Sequence, residues 1–83
     1  MKAPSQYVRL AERHWRIWLP RRVAELERTG QLQAQLQRAA ERTATDVETL
    51  REQFLQQGLT PTQASQRAWE IARDRHLFLP PEE

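Results

Sequence analysis

The sequence has no cysteine and no asparagine, two glycines, one lysine, two histidines, and no long apolar run. Each shortage excludes something. Without cysteine, no disulfide can staple an 83-residue chain, and a single domain of this size buries only about 60–65% of its unfolded surface. Stability must then come from regular helix packing or from self-association. The same absence fits a cytoplasmic, intracellular chain. No stretch approaches the roughly 18 apolar residues of a membrane span. The opening, Met1-Lys2-Ala3-Pro4-Ser5-Gln6, has no apolar segment of the kind a secretory signal needs, so neither a span nor a leader is expected.

Catalytic and metal chemistry are excluded on similar grounds. The histidines, His14 and His76, are far apart, and the sequence has no phosphate-binding glycine loop and no H-E-x-x-H pattern. Compact sets of Cys, His or carboxylate ligands, which a zinc site needs, are missing. Asp46 and Glu48 are two apart on a helix and point in different directions. We expect no enzyme, no metal and no cofactor. His14 lies in the apolar half of a helix and reads as a core or boundary imidazole bonded to a neighbour. His76 reads as a cation at a helix C-terminus.

What remains is helix-forming. Ten glutamines with abundant Ala, Leu, Arg and Glu favour an all-α chain without strands. Basic residues are twelve Arg against one Lys, a bias that a GC-rich genome or selection at high temperature would each produce. Charge is also unevenly placed. Residues 1–42 hold nine basic and four acidic side chains, while residues 43–83 hold four basic and seven acidic. A basic half of this kind meets phosphate, an acidic protein, or the other half of its own fold.

The organising stretch is Gln31 to Gln57. Leu36, Ala40, Thr43, Val47, Leu50 and Phe54 recur at alternating intervals of four and three, which holds one narrow stripe on one helical face. Before it, Ser5 reads as the N-cap of a first helix over about 6–18, which Pro20 ends. Tyr7, Val8, Leu10, Ala11, Trp15, Ile17 and Trp18 occupy one half of its wheel; Arg9, Glu12, Arg13 and Arg16 occupy the other. Pro20 opens a short helix over about 20–29 with Val23 and Leu26 inward, and Gly30 breaks the chain before the long helix of about 31–57.

Gly58 stops that helix, and Thr60-Pro61-Thr62-Gln63 reads as a capping box opening a last helix of about 61–75. Ala64, Ala68, Trp69, Ile71 and Ala72 face inward on it. The tail, 76–83, runs extended through Leu77, Phe78 and Leu79 to two prolines and is expected to bury Phe78. Pairs such as Arg42 with Asp46 and Glu48 with Arg51 read as solvated ion pairs worth a few tenths of a kcal/mol.

The strongest functional feature is the arginine face of the first helix. Arg9, Arg13 and Arg16 share it, with Arg21 and Arg22 just beyond the proline, and the planar guanidinium fork suits carboxylate and phosphate. Trp15, Trp18 and Tyr7 lie opposite and read first as core. Three tryptophans and a tyrosine can nevertheless exceed what so small a monomer covers, and aromatic anchors flanked by Arg make up many interface hot spots. Two further readings are weaker. The aromatic and arginine faces together resemble an interfacial membrane helix, but a single Lys and the intervening Glu weaken that reading. An acidic inhibitor built on Asp46, Glu48, Glu52 and Glu70 is interrupted by Arg51, Arg67 and Arg73.

Across His14-Trp15-Arg16, Leu19-Pro20, Leu26, Thr29-Gly30-Gln31-Leu32 and Leu36 the chain resembles the small transposon-encoded TnpV-type proteins. In these a basic aromatic segment and a proline precede a small-residue-Gly-x-Leu step into a long helix. Ala68-Trp69-Glu70 and Leu77-Phe78-Leu79-Pro80-Pro81-Glu82 are similar to short phage and plasmid reading frames. The resemblance implies a mobile genetic element as the origin and brings no catalytic residue.

The expectation is an all-α fold, a small three- to four-helix bundle around one long central helix with an extended C-terminal tail. The expected function is a non-enzymatic protein-interaction module that forms a homodimer and binds a protein partner through Arg9, Arg13, Arg16, Arg21, Arg22, Trp15 and Trp18. The alternative is a nucleic-acid-binding accessory protein that uses the same arginines.

Overall fold

A computed structural model describes residues 5–82. Within them the chain forms α1 (Ser5–Trp18), α2 (Pro20–Arg28), α3 (Leu32–Gln56) and α4 (Pro61–His76), with no strand among the described residues. This is the expected all-α bundle with a long central helix. Ser5 is already helical and exposed, so it is not the N-cap the sequence predicts.

The breaks between helices follow local chemistry. Leu19 leaves the helical region at φ −129°, ψ 51°, as the residue before a proline tends to do, and Pro20 takes the first position of α2, where no N–H is needed. Gly30 at φ +72° ends α2. Its N–H bonds to Glu27 O at 3.2 Å, and that of Gln31 to Leu26 O at 2.7 Å, the paired closure of a Schellman motif. Gly58 at φ +97° repeats the arrangement at the end of α3. There the Gly58 and Leu59 N–H groups bond to Leu55 O and Phe54 O at 3.0 and 3.1 Å. The capping box forms as the sequence predicts: Thr60 Oγ1 accepts from Gln63 N at 3.2 Å, and Gln63 Oε1 accepts from Thr60 N at 3.1 Å.

α3 serves two partners. Its first half contributes Leu32, Leu36 and Ala39 to a core with Ala11, Trp15, Leu19, Val23 and Leu77. Its second half pairs with α4 in the most extensive helix contact of the fold. Ala64, Ala68 and Ala72, four apart, are completely buried there, and small side chains let two backbones approach closely. Thr43, also fully buried, donates its hydroxyl to Ala39 O at 2.8 Å. Val47, Leu50 and Phe54 remain half-buried, because the smallest principal extent is 15 Å. That is about two helices deep at ordinary packing distance, so no further layer covers the stripe's far end.

The tail departs from expectation in one respect. Leu77, not Phe78, is the fully buried residue. Its N–H still bonds to Arg73 O at 2.8 Å, so the chain prolongs α4 by a fraction of a turn and directs Leu77 into the core. Phe78 is left half-buried against His14, ring centroids 5.1 Å apart, and beneath the Arg73 guanidinium, 5.8 Å from the ring.

Candidate interaction surfaces

Trp15 and Trp18 separate in the folded chain. Trp15 is 3% exposed, whereas Trp18 is 49% and Ile17 59% exposed. The apolar half of α1 spans the whole arc from Ile17 to Val8, with Ile17 about 160° from Trp15 at 100° per residue. Ala11 and Trp15 are buried in the core and Tyr7, Val8 and Leu10 pack partly against it, whereas Ile17 and Trp18, at the C-terminal end of α1, lie outside it. Trp15 is therefore withdrawn from the interface expected of it, and its indole N–H is spent on Leu77 O at 2.8 Å. Trp18 and Ile17 leave the expected core instead. With Pro20, Arg21, Pro81 and Glu82 they line an open hollow of about 510 Å³.

The tail holds this end of α1 in place. His14 Nε2 lies 2.8 Å from Leu79 O, which bears out its reading as a boundary imidazole bonded to a neighbour. Glu82 N donates to Trp18 O at 3.0 Å. The Glu82 carboxylate then accepts from Arg21 N at 3.2 Å and Arg22 N at 2.9 Å. Leu19, at the N-cap position of α2, has no side-chain oxygen, so the carboxylate of Glu82, 60 residues beyond Arg22, satisfies the orphan N–H groups and faces the positive end of the helix dipole.

The five expected arginines are all exposed, yet they do not make one patch. Arg9, Arg13 and Arg16 share the outer face of α1. Arg16 is latched by Glu12 at 3.0 and 2.8 Å and by Glu27 at 3.4 Å, which ties α1 to α2. The hydrogen bonds that Arg16 donates to Glu12 chiefly, with the charges of Glu27 and Glu12, hold the Arg16 pKa above its ordinary value against a smaller opposing effect of burial. Arg9 and Arg13 are in no ion pair among the described residues. Arg21 turns to the Trp18 hollow. Arg22 turns the other way, its guanidinium 5.8 Å from the Trp15 ring centroid.

On that other side lies a cleft of about 240 Å³ lined by Trp15, Arg22, Gln35, Arg38, Ala39, Arg42, Arg75, His76 and Leu79. Sequence reasoning found only Arg22 of its cations. The spacing of Arg38 and Arg42, four apart on α3, would have put them on one face; nothing local brings Arg22 and Arg75 to them. Asp46 also differs from expectation. It pairs with His76 at 2.7 Å and with Arg75 at 3.5 Å, not with Arg42, because α4 folds back beside it. Arg51, expected to pair with Glu48, donates instead to Ser65 Oγ at 2.8 Å.

Among the described residues no group of three or more His, Cys, Asp or Glu is placed to hold a metal ion, and no helix is long and apolar enough to cross a membrane. No family model, curated protein or solved structure matches the chain.

Proposed function

We propose that the chain is a non-catalytic protein-interaction module that pairs with a second copy of itself, and with a protein partner, through the surface around Ile17 and Trp18. One observation carries the reading. Two large apolar side chains, 59% and 49% exposed, stand side by side at the end of α1, rimmed by Arg21 and two prolines. An exposed Trp beside Arg is the composition of an interface anchor. In a two-layer protein, apolar surface left by the fold is covered most simply by another chain. The TnpV-type resemblance around Trp15 and Gly30 adds origin in a mobile genetic element to this reading.

Light scattering tests it. The wild-type chain is expected at twice the monomer mass of 9.9 kDa at tens of micromolar. Trp18→Ser with Ile17→Ser is expected to run as a monomer with its helix content intact. A monomeric wild type, or a double variant that still dimerises, would remove this surface from the function.

Nucleic-acid binding by the α1 arginines is the second reading. The observation in its favour is that Arg9 and Arg13 are exposed and outside any ion pair among the described residues. Duplex DNA binding that disappears in Arg9→Gln with Arg13→Gln would support it; binding unaffected by that pair would set it aside.

A further inference from the structure

The cleft behind Trp15 lies away from the surface assigned above, and its composition is one-sided. Arg22 of α2, Arg38 and Arg42 of α3, and Arg75 of α4 line it with His76, and no lining residue is acidic. The nearest carboxylate contact is made by Asp46, which bonds to His76 and Arg75 and faces the adjoining hollow with Glu41 and Thr45. Two adjoining carboxylates, Asp46 and Glu41, set against four guanidinium groups leave a cationic surplus. Gathering like charges from three helices into one concavity opposes folding, and a bound anion would relieve that opposition.

We propose that this cleft binds a phosphate-bearing ligand through Arg22, Arg38, Arg42 and Arg75. Two features favour phosphate over a carboxylate. Each guanidinium presents a planar fork suited to two oxygens, and four forks exceed the acceptor capacity of one carboxylate. The volume of about 240 Å³ has room for more than one phosphoryl group. Arg22 is also positioned in advance: its guanidinium rests against the face of the buried Trp15, and its backbone N–H is fixed by Glu82. A fork held before the ligand arrives loses less freedom on binding. The phosphoryl groups belong either to a small polyphosphate ester or to a nucleic-acid backbone, and both present the same chemistry to the cleft.

The test uses the full chain and two probes: inorganic tripolyphosphate by titration calorimetry, and a labelled 20-nucleotide single strand by fluorescence anisotropy. Both are run at 50 and 200 mM salt. Tripolyphosphate is expected to bind, and Arg38→Gln with Arg42→Gln, two exposed positions outside the core, to weaken it at least about tenfold while circular dichroism stays unchanged. Arg9→Gln with Arg13→Gln, on the far face of α1, is expected to change it less than about twofold.

Strand binding that tripolyphosphate displaces, and that falls about fiftyfold between the two salts as four phosphate contacts require, assigns the source to nucleic acid. Tripolyphosphate binding without strand binding assigns it to a small ligand. Absence of tripolyphosphate binding at 50 mM salt overturns the proposal. So does binding that the Arg38/Arg42 pair leaves unchanged, or that the Arg9/Arg13 pair weakens equally, since either would mean diffuse attraction to a basic chain.

Discussion

Trp15 donates its indole N–H to the carbonyl oxygen of Leu77 at 2.8 Å, across 62 residues of sequence. The bond is buried and joins the last turn of α1 to the first residue of the tail, so the largest side chain of the core also closes the chain on itself. Its partner atom has no water to turn to if the donor is lost. Trp15→Phe keeps much of the apolar volume and deletes the donor. The expected loss is about 1–3 kcal/mol for an orphaned buried carbonyl, read from urea unfolding followed by circular dichroism. A change below about 0.5 kcal/mol, within the range of ordinary surface substitutions, would mean that the tail docks without the indole.

Glu82 is the next position where the tail matters. Its carboxylate stands in for the cap that Leu19 cannot supply, accepting from two N–H groups of α2. Glu82→Ala is expected to cost about 0.5–2 kcal/mol, the range for a lost N-cap, and the loss should shrink at high salt as the helix dipole is screened. Glu82→Gln keeps an acceptor without the charge and should fall between Ala and wild type. Hydrogen exchange at Arg21 and Arg22 gives the local readout: both amides should exchange faster in Glu82→Ala, and equal rates would show that the contact is dispensable.

These two contacts mark the boundary of what the sequence made legible. Features fixed within a few residues were readable: the Thr60 to Gln63 capping box, the closures at Gly30 and Gly58, the proline start of α2, and the alanine repeat of α4. Features that depend on which sector of a helix another element covers were not. A wheel gives Trp15 and Trp18 similar standing, about 60° apart, and only the placement of α3 and the tail buries one and exposes the other. Alternation in the tail gave no way to choose Leu77 over Phe78, because the continued turn after His76 reverses which side faces inward. The arginine cleft joins Arg22 to Arg75 through the fold alone. The spacing of Arg38 and Arg42 puts them on one face of α3, but it does not supply the neighbours that turn a solvated face into a cleft.

The glycine at the α2–α3 break gives a backbone test with no packing component. Gly30 sits at φ +72°, and a Cβ built there meets nothing within 4 Å. Gly30→Ala is therefore expected to cost about 1–2 kcal/mol from the left-handed conformation alone. The chain is short enough for chemical synthesis, and D-alanine at the same position favours positive φ. It should restore stability to the glycine level or exceed it by reducing the freedom of the unfolded chain. Equal destabilisation by both enantiomers would point to a steric clash and contradict the open space around this turn.

The α3–α4 seam is the last feature open to a sharp test, because its closeness rests on side chains that are barely there. Ala68 is completely buried in the middle of the Ala64, Ala68, Ala72 row, and the two helices cannot separate locally, since the Gly58 turn at one end and the Asp46–His76 bond at the other hold them. Adding three carbons there must distort rotamers or backbone. Ala68→Leu is accordingly expected to destabilise by about 1–3 kcal/mol. Ala34→Leu, an equal change at an exposed position of α3, should stay within about 0.5 kcal/mol. Thermal unfolding of the two variants side by side separates overpacking from any general effect of leucine on helix propensity, which differs little from that of alanine. If Ala68→Leu proved as harmless as Ala34→Leu, the seam would have to be open enough to admit a large side chain, and α4 would owe its position to its two ends rather than to the row of alanines between them.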